Sequence, residues 1–221
     1  MIKQNLLNDI IEEIIFFPMR IRLCFRSRGK NKIRQQTIHR FHDIMPRFEL
    51  FSANNHKVIF NVALYLLLLD QDLEDFTDTI IEVRGNRKRI LIARHEAILL
   101  YEASEDMRQL LGREFRKAIR ALGVSAYQSS KLNQAASRLN EYWLSNREFL
   151  SNIRNVLAAH REQDAIHYLE NLELIKPLDV MKRAADLTEC MEELAGALVK
   201  IILEASGFMS ILLDKIASNK T

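Results

Sequence analysis

Three long runs of apolar residues recur at helical spacing between Ser52 and Ala159. Only turns of a few residues join them, and this leaves little choice of fold. The first run places Val58, Val62, Tyr65, Leu66, Leu69, Leu73, Phe76 and Ile80 on one stripe, and Leu64, Leu67 and Leu68 widen it. A stripe that wide predicts a helix enclosed on more than one side, capped by Ser52 or Asn54 and running to about Arg84. Gly85-Asn86 then supplies a turn. The second run, Lys88 to Leu122, sustains its face through Ala97, Leu100, Tyr101, Ser104, Met107, Leu111, Phe115, Ile119 and Leu122. It predicts one long helix, with Gly112 as a place to bend and Gly123 as the C-terminal cap.

Ser125-Ala126-Tyr127-Gln128 has the spacing of a capping box and opens the third run. Leu132, Ala135, Leu139, Tyr142, Trp143, Phe149, Leu150, Ile153 and Val156 carry that run to about Ala159, and Trp143 falls on its buried stripe. So short a connection makes this helix antiparallel to its predecessor. After a break from Arg161 to Lys176, with at most a short helix at Ala165 to Leu172, Pro177 suits the first turn of a fourth long helix. Gly207 is expected to close it, with a terminal turn or two from Ser210 to Ala217. The predicted fold class is all-α, an antiparallel bundle of four long helices over residues 51–221. Six Gly and three Pro in 221 residues are too few for a turn-rich β protein, and a hydrophobic fraction of 48% is enough for a sizeable core.

The first fifty residues differ in character and are expected to form an N-terminal arm and basic linker. Asn5 to Phe17 is helical in period, and Pro18 should stop or kink it. Met19 to Phe25 alternates with a strand-like period of two, consistent with an extended arm over the bundle or over a second subunit. One short helix, Lys32 to Asp43, fits the remainder. Net charge is only +3, yet Arg20, Arg22, Arg26, Arg28, Lys30, Lys32 and Arg34 cluster with no acid between them. Such a cluster attracts polyanions, nucleic acid or anionic lipid, or else forms a solvated basic strap.

Cys24 and Cys190 are far apart and lack metal-ligand spacing, so neither a disulfide framework nor a zinc site is expected. Asp9, Glu12 and Glu13 interrupt the N-terminal apolar period, which therefore does not read as a secretory signal, and free thiols then point to the cytoplasm. His95-Glu96 opens like a zincin motif, but Leu99 stands where the second histidine is needed. No cofactor is implied.

Chemistry concentrates at Ile153-Arg154-Asn155-Val156-Leu157-Ala158-Ala159-His160-Arg161-Glu162. Arg154-Asn155, four residues and His160 resemble the R-x(4–6)-H signature of HEPN domains. The Ala-Ala-His-Arg-Glu ending is similar to their abortive-infection branch. The resemblance covers roughly Ser52 to Ser206 and implies an all-helical bundle, a homodimer with a cleft between two motifs, and metal-independent RNA cleavage. It also implies a place as toxin or effector in prokaryotic defence, with a possible antitoxin partner. Under that resemblance His160 exchanges protons, Arg154 holds the phosphate, and Asn155 orients either; Arg161 at the cleft edge touches RNA. The residue types suit the task, because histidine titrates near neutrality and a guanidinium offers paired donors to phosphate oxygens.

In a regular helix, however, the faces carrying Arg154 and His160 diverge by about 120°. They meet on one phosphate only if the helix ends or bends near Ala158, or if two subunits pool their motifs. Glu102 could reach the motif from a neighbouring helix, though a water-facing carboxylate explains it as well. Two other functions remain open from sequence. One is a non-catalytic helical dimerisation or nucleotide-binding module. The other is a peripheral membrane protein anchored by Ile10 to Phe25 and the basic cluster.

Overall fold

In the computed structural model, residues 15–20, 23, 33–43, 45–46, 53–158 and 175–218 are described, without the side chains of 156–158 and 206–218. Regular structure among them is entirely helical. Five helices follow the N-terminal segments: α1 (Asn54–Glu82), α2 (Asn86–Leu110), α3 (Arg113–Ala121), α4 (Ala126–Ala158) and α5 (Pro177–Ser218). The four long ones form the antiparallel bundle. Thr77 meets Glu96 and Tyr65 meets Asp106, so α1 and α2 run opposite ways. Arg138 on α4 pairs with Glu189 and Glu193, while Ser125 meets Glu204, so α4 and α5 are also antiparallel.

Helices α2 and α5 pack on each other, and each also packs on both α1 and α4. They are therefore the central pair, with α1 and α4 on the flanks and α3 against α1. This explains why α2 is enclosed despite a polar sequence. Ala93, Ala97, Leu100, Ala103 and Met107 are almost fully buried on it, and small residues let its neighbours approach closely. Buried polar residues gather on the same helix: Arg89, Arg94, Glu96 and Ser104.

The second long run is not one helix. It breaks at Leu111 and Gly112, giving α2 and α3. Gly112 has ψ −151°, which ends the helical geometry, and a Cβ there would sit 2.7 Å from the Gln109 carbonyl oxygen. The apolar period survives the break because Phe115, Ala118 and Ile119 of α3 are buried too. Other expected stops need correction as well. The N-cap of α1 is Ala53, with no side-chain cap bond, rather than Ser52 or Asn54. Gly207 does not close the last helix, which is continuous to Ser218. Gly85 and Gly123 do mark turns, at φ 95° and 65°, where a side chain would be strained. Ser125 Oγ accepts from the Gln128 backbone N–H, but the other half of the box comes from Glu204, whose carboxylate accepts from the Ser125 N–H.

Both longer described segments of the N-terminal fifty, residues 15–20 and 33–43, contact the bundle. Phe16 is fully buried in the core, with the Arg89 guanidinium 4.3 Å from its ring centroid. Residues 15–20 and Leu23 are helical, so neither the stop at Pro18 nor the alternation from Met19 produces an extended strand there. The reason is that Phe16, Met19 and Leu23 follow helical spacing onto the core, which outweighs the period of two. The segment 33–43 runs antiparallel to α1: Arg34 bridges Asp70 and Glu74, Gln35 meets Gln71, and Phe41 packs on Phe60 at 5.2 Å. No helix among the described residues is long and apolar enough to cross a membrane.

Glu96 is the chemical weak point of the core. Its carboxyl is inaccessible to water, one oxygen accepts from Thr77 Oγ1 at 2.9 Å, and the other has no partner among the described residues. Burial pushes its pKa up to about 7, against a smaller opposing effect of the Thr77 bond. A carboxyl that binds its proton more tightly when folded contributes stability fully present below its ordinary value of 4.5 and lost as pH rises through about 7. We expect urea unfolding to show stability falling by up to ~3 kcal/mol across that window, taking 1.36 kcal/mol per unit. Glu96→Gln should flatten the decline. Parallel pH profiles for wild type and variant would assign it to other groups.

Candidate nucleic-acid interface

Arg154 lies near the end of α4, on the seam with α2. Its guanidinium carbon stands 4.9 Å from the centroid of the Tyr101 ring on α2, while the residue as a whole remains exposed. At that distance the guanidinium makes a cation–π contact with the ring, while the exposed side chain still has donors within reach of a ligand, a combination the compact ammonium of lysine reproduces poorly. Tyr101 is itself fixed by an edge contact to Trp143, with centroids 5.1 Å apart. Asn155 is exposed beside Arg154 and donates weakly to Ser151 Oγ at 3.5 Å.

His160 and Arg161 lie outside the described residues, as do Arg22, Arg26 and Arg28. Arg20 is described, and its donors are turned inward. Its Nε donates to the Ile81 carbonyl at 2.7 Å and a terminal nitrogen donates to the Val83 carbonyl at 3.3 Å. It thus satisfies carbonyls at the C-terminal end of α1, where a cation also opposes the helix dipole. Glu102 is exposed on α2 next to Tyr101.

Two cations that sequence reasoning passed over complete the seam. Arg108 of α2 and Arg147 of α4 approach the Trp143 ring, at 5.9 and 5.8 Å from its centroid. Both are exposed, and neither they nor Arg154 form an ion pair with a described carboxylate. Arg147 and Arg154 are seven residues apart on α4, two turns along one face. That spacing is visible in the sequence; the arrival of Arg108 and Tyr101 from α2 depends on the antiparallel register.

Fold and seam together define an all-α bundle with a row of guanidinium groups, unpaired among the described residues, set over buried aromatic rings. No family model, no curated protein and no solved structure matches this chain.

Proposed function

We propose that this protein is a HEPN-like, metal-independent endoribonuclease that grips the scissile phosphate with Arg154. The observation that carries the reading is the exposed Arg154 guanidinium over Tyr101, in line with Arg147 and Arg108. Fixed cations of this kind bind the strand and stabilise charge developing on a phosphorane. In the reaction the ribose 2′-oxygen bonds to the adjacent phosphorus and the P–O5′ bond breaks. The 2′-hydroxyl proton leaves and the departing 5′-oxygen is protonated. His160 supplies one of these transfers, and Asn155 steadies the phosphate. Since Arg154 and His160 would diverge on a regular helix, the chain must leave that geometry beyond Ala158 or two subunits must pool their motifs. A homodimer belongs to the proposal for that reason.

A binding module without catalysis is the second reading. It is favoured by the arginine row itself, which serves strand binding whether or not a proton-transfer group stands beside it. Purified protein incubated with total RNA in EDTA separates the two. The nuclease reading expects cleavage with a 2′,3′-cyclic phosphate at the new end. RNA retained but left intact by the dimeric protein would assign it to the binding class.

A further inference from the structure

A groove of about 200 Å³ lies between α3 and α4. Leu111, Phe115, Ile119 and Leu132 make an apolar floor, while Ser129 and Asn133 of α4 and Arg116 and Arg120 of α3 form the rim. The outer surface of α3 is strongly basic: Arg113, Arg116, Lys117 and Arg120 are all exposed within nine residues, against one acid, Glu114. Arg116 makes a long bond from Nε to the Leu111 carbonyl, 3.4 Å, and the residue is exposed.

This groove and the Arg154 seam lie on one line. At ~100° per residue, Ser129, Asn133, Ala136, Arg147 and Arg154 fall within about 60° of one another around α4. The line from Ser129 to Arg154 spans roughly 38 Å at 1.5 Å per residue. Cations stand toward both of its ends, on α3 at one and at Arg108, Arg147 and Arg154 at the other. A basic face with one apolar slot is a pattern by which proteins hold a single nucleic-acid strand: the charge meets the phosphates and a pocket takes an unstacked base.

We infer that the α3/α4 groove receives one unpaired base of an RNA strand whose phosphates follow the cations toward Arg154. The slot is well below the ~300–1,000 Å³ of pockets for drug-sized ligands, so it suits a single ring system. Phe115 and the leucines form the apolar floor on which the base rests. The Asn133 amide, with both donor and acceptor groups, faces its hydrogen-bonding edge. Arg116 and Arg120 hold the phosphates on either side. A paired base is stacked within its helix and cannot enter, so this site selects single strands.

The inference rests on the RNA reading above, and its test is built to fail separately. Fluorescence anisotropy follows an unstructured 2′-O-methyl RNA of ~12 nucleotides, a length within known single-strand site sizes. Lacking a free 2′-hydroxyl, this strand cannot be cut by the proposed reaction. Wild type should bind it at least ~10-fold more tightly than a duplex of equal length, and a strand of abasic residues should lose a similar factor. Ser129→Leu and Asn133→Leu each narrow the slot from the rim, Asn133 being exposed and therefore tolerant of change. Each should weaken single-strand binding by about tenfold without altering its salt dependence. Arg116→Glu with Arg120→Glu should weaken binding and also lower the salt slope, by about one for each phosphate that is no longer neutralised.

Equal affinity for single strand and duplex, or unchanged binding in both leucine variants with helical content intact, overturns the base slot. So does binding to anionic phosphatidylserine vesicles with none to RNA. Tight, slot-dependent binding with no cleavage of ordinary RNA removes only the nuclease reading. Cleavage with wild-type binding in both leucine variants removes only the slot.

Discussion

Trp143→Ala is expected to destabilise the fold by ~3–5 kcal/mol, the range for emptying a large aromatic site, and to disturb the Arg154 seam with it. Trp143 is only 1% exposed and stands where α4 meets α2, with its ring against the edge of Tyr101. Such an aromatic pair contributes about 0.5–1.5 kcal/mol beyond area burial. Removing the indole also takes away the ring approached by Arg108 and Arg147. Against the ~5–15 kcal/mol that holds a typical domain, the loss is large. Circular dichroism in a urea titration is the right measurement, because Trp143 is the sole tryptophan and fluorescence vanishes with it. Trp143→Phe keeps a ring in the cavity and should recover more than half of the loss. A cost below ~1 kcal/mol for alanine would mean that the α2/α4 contact collapses around the gap, far outside the usual range.

The same contact shows how far sequence alone reaches. Helical period puts Leu139, Trp143 and Leu150 on a buried stripe, and all three are buried. Periodicity is local and survives any tertiary arrangement, so the all-α class and the four long helices were legible from it. It cannot show the break at Gly112, because α3 keeps its apolar face toward α1 just as α2 does. Any side chain at 112 would meet the Gln109 carbonyl, and that requirement for glycine exists only once the chain has turned. Glu96 misleads for the opposite reason. Sequence draws notice to it only beside His95 in an incomplete zincin-like pattern, whereas its burial comes from α2 being central and Thr77 of α1 meeting its oxygen. Arg20 looks like part of a polyanion-binding cluster but caps carbonyls of α1, an engagement between residues far apart in sequence. Arg154 was legible as a candidate. Tyr101 beneath it was not, since their meeting depends on how α2 and α4 align.

His160→Ala is expected to abolish RNA cleavage with the bundle intact, a fall of ~10²–10⁴-fold from losing one positioned proton-transfer group. The motive is the Arg154-Asn155-(four residues)-His160 pattern, together with an Arg154 side chain presented to solvent over Tyr101. Arg154→Lys should be severely impaired too. Lysine keeps the charge, but it loses the planar donor pair proposed to hold two phosphate oxygens and the guanidinium contact with the tyrosine ring. Binding separates the two roles. His160→Ala should bind 2′-O-methyl RNA like wild type, whereas Arg154→Lys should bind it more weakly, because only the arginine contacts phosphate in the ground state. The comparison is made on dimeric protein, and mixing the two inactive variants gives a further reading. If each site draws Arg154 from one subunit and His160 from the other, a mixed dimer carries one fully wild-type site. Partial recovery of cleavage on mixing is then expected. If each subunit supplies both residues of its own site, every site in the mixed dimer stays defective and no activity returns. Subunit exchange is verified first with differently tagged chains, so that a failure to recover has one meaning. If both variants cleave like wild type, Arg154 and His160 have no part in the reaction. If His160→Ala instead loses stability and leaves RNA handling unchanged, its imidazole is a packing group, and the arginine row is left as a binding surface.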